Sequence, residues 1–227
     1  MSEIVLTHTG KLGDFILMLP IGSWFYKSTG KKIHWVLPKC VPGFDKIDTL
    51  LYQQEMTSRI SYINFMTLHY NMGGQPFIFD PRNYGIKCDV YYNLGYKSRP
   101  NKYAPAFVAE QIGLDYDRDF ILDIGEKIEK TDEILCANQE LMKFMPPDAK
   151  LIDFKQKILY NLQKMQAARL AHAYKNAGGV MLSQANIPFI LWRTRRESYS
   201  YRIFIKNLDN IISEVVIDND TLQIGHK

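Results

Sequence analysis

Cysteine is scarce in this chain: Cys40, Cys88 and Cys136 are its only three among 227 residues, and they lie far apart. That excludes a small disulfide-stapled scaffold, and no pair has the spacing of a zinc or redox motif. The reading is of free thiols in a reducing cytoplasm, the localisation expected for the chain. No apolar run approaches the roughly 18 residues that a membrane-spanning helix needs. Glu3 ahead of the first apolar residues and a glycine at position 10 do not suit a signal peptide. Internal repeats and low-complexity segments are missing, and so is a strong excess of either charge. The net charge of +4 permits an anionic substrate or nucleic acid and requires neither. Also missing are the Gly-x-Gly-x-x-Gly and phosphate-loop fingerprints of common nucleotide sites, metal-ligand clusters and a nucleophile elbow. No metal and no cofactor is expected.

What remains is ordinary globular material, 46% hydrophobic and 23% charged, with a length that suits one large domain or two small ones. Its most informative stretch is Thr7-His-Thr-Gly-Lys-Leu-Gly-Asp14. Ile4-Val-Leu6 is a short strand pattern, Phe15-Ile-Leu-Met-Leu19 opens a helix to about Lys27, and Ile33-His-Trp-Val-Leu37 resumes the strand pattern. Strand, glycine loop, helix and strand form a βαβ unit, which implies a parallel, doubly wound α/β sheet. Ligands of such sheets sit beyond the carboxyl ends of the strands, where this loop must lie. Asp14 then faces the crevice from the start of the helix, stabilised by its dipole.

Further along, Phe44, Ile47, Leu50 and Leu51 have helical spacing, and Arg59 to Phe65 alternates as a strand does. Asn71-Met-Gly-Gly-Gln-Pro76 is turn chemistry, Cys88 to Leu94 a strand, and Tyr103 to Ile112 a helix ended by Gly113. The charged segment from Gly125 to Thr131 lacks apolar periodicity and is expected to separate two lobes, 1–125 and 131–227. In the second, Glu133 to Ala137 reads as a strand, Glu140 to Phe144 as a helix and Ile158 to Asn176 as the longest helix, ended by Gly178-Gly179. Val180 to Leu182 and Pro188 to Trp192 read as strands, and the tail from Arg202 as a strand-helix mixture.

Gly13-Asp-Phe-Ile-Leu-Met-Leu-Pro20 resembles the amino-terminal motif of the heptosyltransferase-like (family 9) glycosyltransferases, in which a strand, a loop with Gly-Asp and an apolar helix broken by proline follow one another. The match continues through Lys31-Lys-Ile-His-Trp-Val-Leu37 and, more loosely, at Cys88-Asp-Val-Tyr-Tyr-Asn-Leu-Gly-Tyr-Lys-Ser-Arg99. The resemblance implies a GT-B architecture of two Rossmann-like lobes with parallel sheets: an amino-terminal acceptor lobe and a donor lobe, the latter reduced here. It implies transfer of a sugar from a nucleotide-sugar donor to a hydroxyl acceptor, a saccharide or a hydroxylated base in DNA, with Asp14 as general base. A non-catalytic nucleotide- or sugar-binding protein with a degenerate cleft is the rival, motivated by the shortened second lobe.

The residues themselves leave alternatives open. Asp14 serves either as a ligand-facing base or as a helix-start carboxylate. Gly10 and Gly13 let backbone approach a ligand, and Lys11 either binds an anion or is solvated. His8, Lys97 and Arg99 are substrate-side candidates, with packed or solvated readings beside the functional one. Arg169, His172, Ser183 and Arg193, the polar residues nearest the apparent strand ends and glycine turn, are donor-side candidates, and Gly178 to Pro188 loosely resembles the family's donor-phosphate segment. Arg193, Arg195 and Arg196 form a basic cluster that suits either a diphosphate or plain solvation.

Interlobe segments with few apolar residues are where proteases cut first. Limited trypsinolysis is therefore expected to cleave at Lys127 or Lys130 before it attacks residues 10–37. Earliest cleavage within 10–37 would contradict a rigid first unit.

Overall fold

A computed structural model describes residues 4–8, 10–39, 41–64, 80–96, 100–195, 204–205 and 208–217. The chain divides into two compact units, 1–120 and 121–227. Each is built on an all-parallel sheet, as the sequence pattern predicts.

In the first unit, β1 (Ile4–Thr7), β2 (Ile33–Pro38), β3 (Thr57–Ile63) and β4 (Val90–Asn93) lie in the order β3-β2-β1-β4. The Ile4↔Ile33 and Ile4↔Val90 registers place β1 between β2 and β4. α1 (Leu12–Thr29) forms the first crossover, and α2 (Asp48–Gln53) and α3 (Ala104–Ile112) follow. β1 and β2 are buried along their whole length, which is why neither alternates in polarity.

α1 has no polar face in its first half: Phe15 to Ser23 are all buried. A helix apolar on every side must lie inside its unit. Pro20 stands within it and has no N–H to donate to the helix ladder. The neighbouring turn is secured from outside, because Asp117 N–H donates to Pro20 O at 2.9 Å. The Asp117 carboxylate accepts from Ser23 Oγ at 2.6 Å and Lys27 Nζ at 2.7 Å, so the segment after α3 is tied to α1 at three points. Gly30 ends α1 at φ 67°, the left-handed geometry that favours glycine.

In the second unit, β5 (Ile134–Cys136), β6 (Lys150–Leu151), β7 (Leu170–Tyr174), β8 (Phe189–Thr194) and β9 (Ile211–Ile217) are ordered β6-β5-β7-β8-β9. The helices are α4 (Ile158–Ala167) and α5 (Ala177–Gln184). One face of the sheet carries a cluster of Cys136, Leu141, Tyr174 and Trp192, with Phe144 stacked on Trp192 at 5.8 Å. Exposed residues 126–131 belong to this unit, where Thr131 N–H donates to Ala167 O and Lys130 Nζ to Gln166 O.

The secondary structure of this half departs from expectation. Ile158 to Asn176 is not one helix: α4 stops at Ala167, and Leu170–Tyr174 is the central strand β7. Val180 to Leu182 lies inside α5 rather than in a strand, and Gly178-Gly179 begin that helix instead of ending one. Glu140 to Phe144 is 3₁₀ rather than α. The turn expected at 71–76 lies outside the described residues.

Gly22 lets α1 approach the sheet. A Cβ there would stand 2.8 Å from Cη2 and 2.9 Å from Cζ2 of Trp35. Trp35 is fully buried, edge-on to Phe15 at 5.3 Å, and its Nε1 donates to Thr57 Oγ1 at 3.0 Å, so the indole has no room to yield. Gly22→Ala should therefore lose about 1–3 kcal/mol, the usual cost of overpacking. The helix-propensity gain of roughly 0.5–1 kcal/mol offsets only part of that loss. A urea midpoint equal to that of the unsubstituted protein would show that the α1–β2 packing is loose.

Candidate functional site

Each sheet reverses its strand order once, and ligands of open α/β sheets bind beyond the carboxyl ends at that reversal. In the first unit the reversal falls between β1 and β4. Leu94 N–H donates to Thr7 O at 2.8 Å, extending the pairing to the last residue of β1. Beyond it the two chains part. One runs through His8, Gly10 and Lys11 into α1, the other through Gly95 and Tyr96.

Asp14 is the third residue of α1, after the N-cap Lys11. Its carboxylate accepts from the Lys11 backbone N–H, the reach-back of a capping box, and from the Tyr96 hydroxyl at 3.3 Å. Burial raises the Asp14 pKa above the usual carboxylate range, while the Tyr96 hydrogen bond, the Lys11 charge and the Lys11 N–H pull it partly back. The helix-start position and the contact with Tyr96 across the strand-order reversal thus coincide in one side chain.

His8 is 1% exposed, and its Nδ1 accepts from Gly10 N–H at 3.0 Å. With Nδ1 an acceptor, the proton of the neutral ring resides on Nε2, which is buried and has no partner among the described residues. Burial lowers the His8 pKa to about 3, so the ring is uncharged near neutrality. The ring also explains Gly10: a Cβ at that position would lie 2.6 Å from His8 Cε1. His8 sits edge-on to Tyr96, with ring centres 6.4 Å apart at 88°, and tilted against Phe15. Gly13 occupies the first turn of α1. The structure therefore gathers His8, Gly10, Lys11, Gly13 and Asp14 at one place; Lys97 and Arg99 lie outside the described residues.

In the second unit the reversal falls between β5 and β7. Ala137 N–H donates to His172 O at 2.8 Å, and Asn138 Oδ1 accepts from Tyr174 N–H at 2.8 Å, locking the two strand ends together. Asn176 caps α5, its side chain accepting from Gly178 N–H at 3.1 Å. A Cβ on Gly179 would meet Tyr174 O at 2.5 Å, and one on Gly178 would meet Ala137 Cβ at 3.0 Å. Glycine is thus required for this helix start to sit against the strand ends, where the Asn176 side chain takes up the Gly178 N–H at the positive end of the dipole.

The four donor-side candidates are dispersed. Arg169 precedes β7, at the opposite end of the strand from the reversal, and pairs with Asp148 at 4.0 Å. His172 is buried within β7 and accepts at Nδ1 from Trp192 Nε1 at 3.0 Å; burial lowers its pKa. Ser183 is buried toward the end of α5. Arg193, on β8, donates from Nε to Glu214 Oε2 on β9 at 2.8 Å. Asn138 and Asn176, which do stand at the reversal, escape sequence reasoning. The signal for Asn176 is the Asn-x-Gly-Gly order of an N-cap, which competes with the common use of glycine at a helix end.

No protein-family model matches the sequence, and no curated protein is similar to it in sequence. Solved structures are similar in fold. A glycosyl transferase family 9 protein from Veillonella parvula DSM 2008 superposes with a TM-score of 0.62 at 12% identity, over 96% of this chain and 86% of that one. The E. coli heptosyltransferase WaaC with ADP gives 0.58 at 9% identity, over 95% and 93%. TibC from E. coli, an iron-containing dodecameric heptosyltransferase in complex with ADP-D-β-D-heptose, gives 0.58 at 12% identity, over 96% of this chain and 63% of that one. At such identities the likeness speaks for architecture, and the architecture is specific: this chain has the heptosyltransferase-like glycosyltransferase fold, with two parallel-sheet, Rossmann-like α/β units.

Proposed function

We propose that the protein transfers a sugar from a nucleotide-activated donor to a hydroxyl acceptor, with Asp14 as the general base. The observation that carries this reading is a desolvated carboxylate held at the strand-order reversal of a fold shared with glycosyltransferases. The acceptor hydroxyl oxygen attacks the anomeric carbon, and Asp14 takes its proton. The bond from that carbon to the diphosphate breaks, and the electron pair leaves with the nucleoside diphosphate. A carboxylate raised above its ordinary pKa is a stronger base than a solvated one.

The first unit is the acceptor side in this reading and the second the donor side. WaaC and TibC were solved with ADP and with an ADP-heptose, which supports a nucleotide-sugar donor here. The start of α5 supports it too, since the positive end of its helix dipole, at the strand-order reversal, suits a diphosphate. A saccharide or a hydroxylated base in DNA is the acceptor class the reading allows.

The test is release of nucleoside diphosphate from a panel of nucleotide sugars and hydroxyl acceptors. Asp14→Asn should lower turnover by about 10²–10⁴, the usual worth of a general base. The rate of the unsubstituted protein should fall as pH drops through the raised Asp14 value, with a midpoint above that of a solvated carboxylate. The linkage sign follows. A carboxylate with a raised folded-state pKa contributes stability at low pH that is lost as pH rises through that value. Asp14→Asn should therefore cost little or no stability at pH 7. Undiminished turnover in a folded Asp14→Asn variant removes the base assignment, and donor binding without turnover for every acceptor identifies a binding protein instead.

A further inference from the structure

We propose that Tyr96 is the positioning residue of Asp14, its hydroxyl reaching across the strand-order reversal to orient the carboxylate and favour its anion. The proposal rests on the reading of Asp14 as the base.

Asp14 receives two hydrogen bonds of different kinds. The Lys11 N–H comes from the same turn of α1 and would be present in any helix with this start. The Tyr96 hydroxyl comes from 82 residues further along the chain, at 3.3 Å. That contact exists only because β1 and β4 are paired, with Leu94 N–H bonded to Thr7 O at the very end of the ladder. A helix cap alone has no use for it.

The tyrosine is itself held in place. Its ring stands edge-on to His8 at 6.4 Å, and His8 is fixed by the Gly10 N–H to Nδ1 bond and by Phe15. The loop carrying Tyr96 is braced where Asn93 Oδ1 accepts from Gly95 N–H at 3.0 Å. Among the described residues, the groups around Asp14 and its partner Tyr96 come from three elements. Lys11 is the cation at the start of α1, His8 at the end of β1 is neutral, and Tyr96 follows β4. Among the described residues after β4, the Tyr96 hydroxyl is the polar group that reaches the carboxylate.

The chemistry fits a base that must not be held too firmly. A donor on a carboxylate stabilises the anion and so weakens it as a base, whereas burial strengthens it. At 3.3 Å the Tyr96 bond is longer than the usual 2.5–3.0 Å for O–H···O, so it orients more than it quenches. Tyr96 keeps its own proton throughout, while the proton lost by the acceptor hydroxyl ends on Asp14.

Tyr96→Phe removes the hydroxyl and keeps the ring against His8. In the ligand-free full-length protein, aspartate carboxyls can be titrated by carbon-13 NMR, with Asp14 identified by its absence in Asp14→Asn. Tyr96→Phe is expected to raise the Asp14 midpoint by about one pH unit, since a hydrogen bond to a charged group is lost. The acid limb of turnover should move up with it, kcat should fall about tenfold at neutral pH, and KM should stay within about twofold. An Asp14 midpoint and a pH profile that do not move in a folded Tyr96→Phe variant overturn the proposal. A shifted midpoint in a protein that turns over no nucleotide sugar would defeat the proposed activity while upholding the Tyr96–Asp14 coupling.

Discussion

The rest of the first unit depends on the pairing of β1 with a parallel neighbour on each side, β2 by one register and β4 by the other. Parallel strands cannot be joined by a tight turn, so the chain must leave β1 through a crossover and return later to its other edge. At the carboxyl end of β1 the outgoing and returning chains diverge. A carboxylate from the start of α1 and a phenol from the loop after β4 meet there. The same requirement buries α1 on all sides of its first half and brings its Gly22 backbone against Trp35. Rigidity beneath the crevice and polarity within it thus have one origin.

The second unit repeats the constraint with different chemistry. β5 lies between β6 and β7, and its carboxyl end is stitched to β7 through Asn138 and the Ala137 backbone. The reversal offers no carboxylate from α5 but a glycine-started helix capped by Asn176. Its field is that of backbone N–H groups and a helix dipole, which attracts anions. The first unit presents a proton acceptor in a desolvated setting, and the second presents donors.

His8 and His172 show how the same residue type is used at different places in a parallel sheet. Both rings accept at Nδ1, from Gly10 N–H and Trp192 Nε1, and burial lowers the pKa of both. His8 follows its strand, requires glycine at position 10 and stands edge-on to Tyr96. His172 lies within β7, and its acceptor is spent on the aromatic packing that joins β7 to β8.

The sequence by itself determined the first βαβ unit, the parallel α/β class and the heptosyltransferase-like resemblance. These are carried by local chemistry: a continuous apolar strand, glycines that break it, and an apolar helix with an acidic residue in its first turn. Local chemistry misleads where alanine is abundant. Leu170-Ala-His-Ala-Tyr174 continues the helical spacing of α4 without a glycine or proline to stop it, yet forms a strand buried along most of its length. A central parallel strand has neither alternation nor an exposed face to advertise it, and small side chains suit both states. Once β7 takes those residues, the glycine pair moves from the end of one helix to the start of another, and the candidates chosen around it disperse. The pairing of Tyr96 with Asp14 was likewise decided by tertiary structure alone, because contacts between residues 82 apart are set by strand order, which no local spacing encodes.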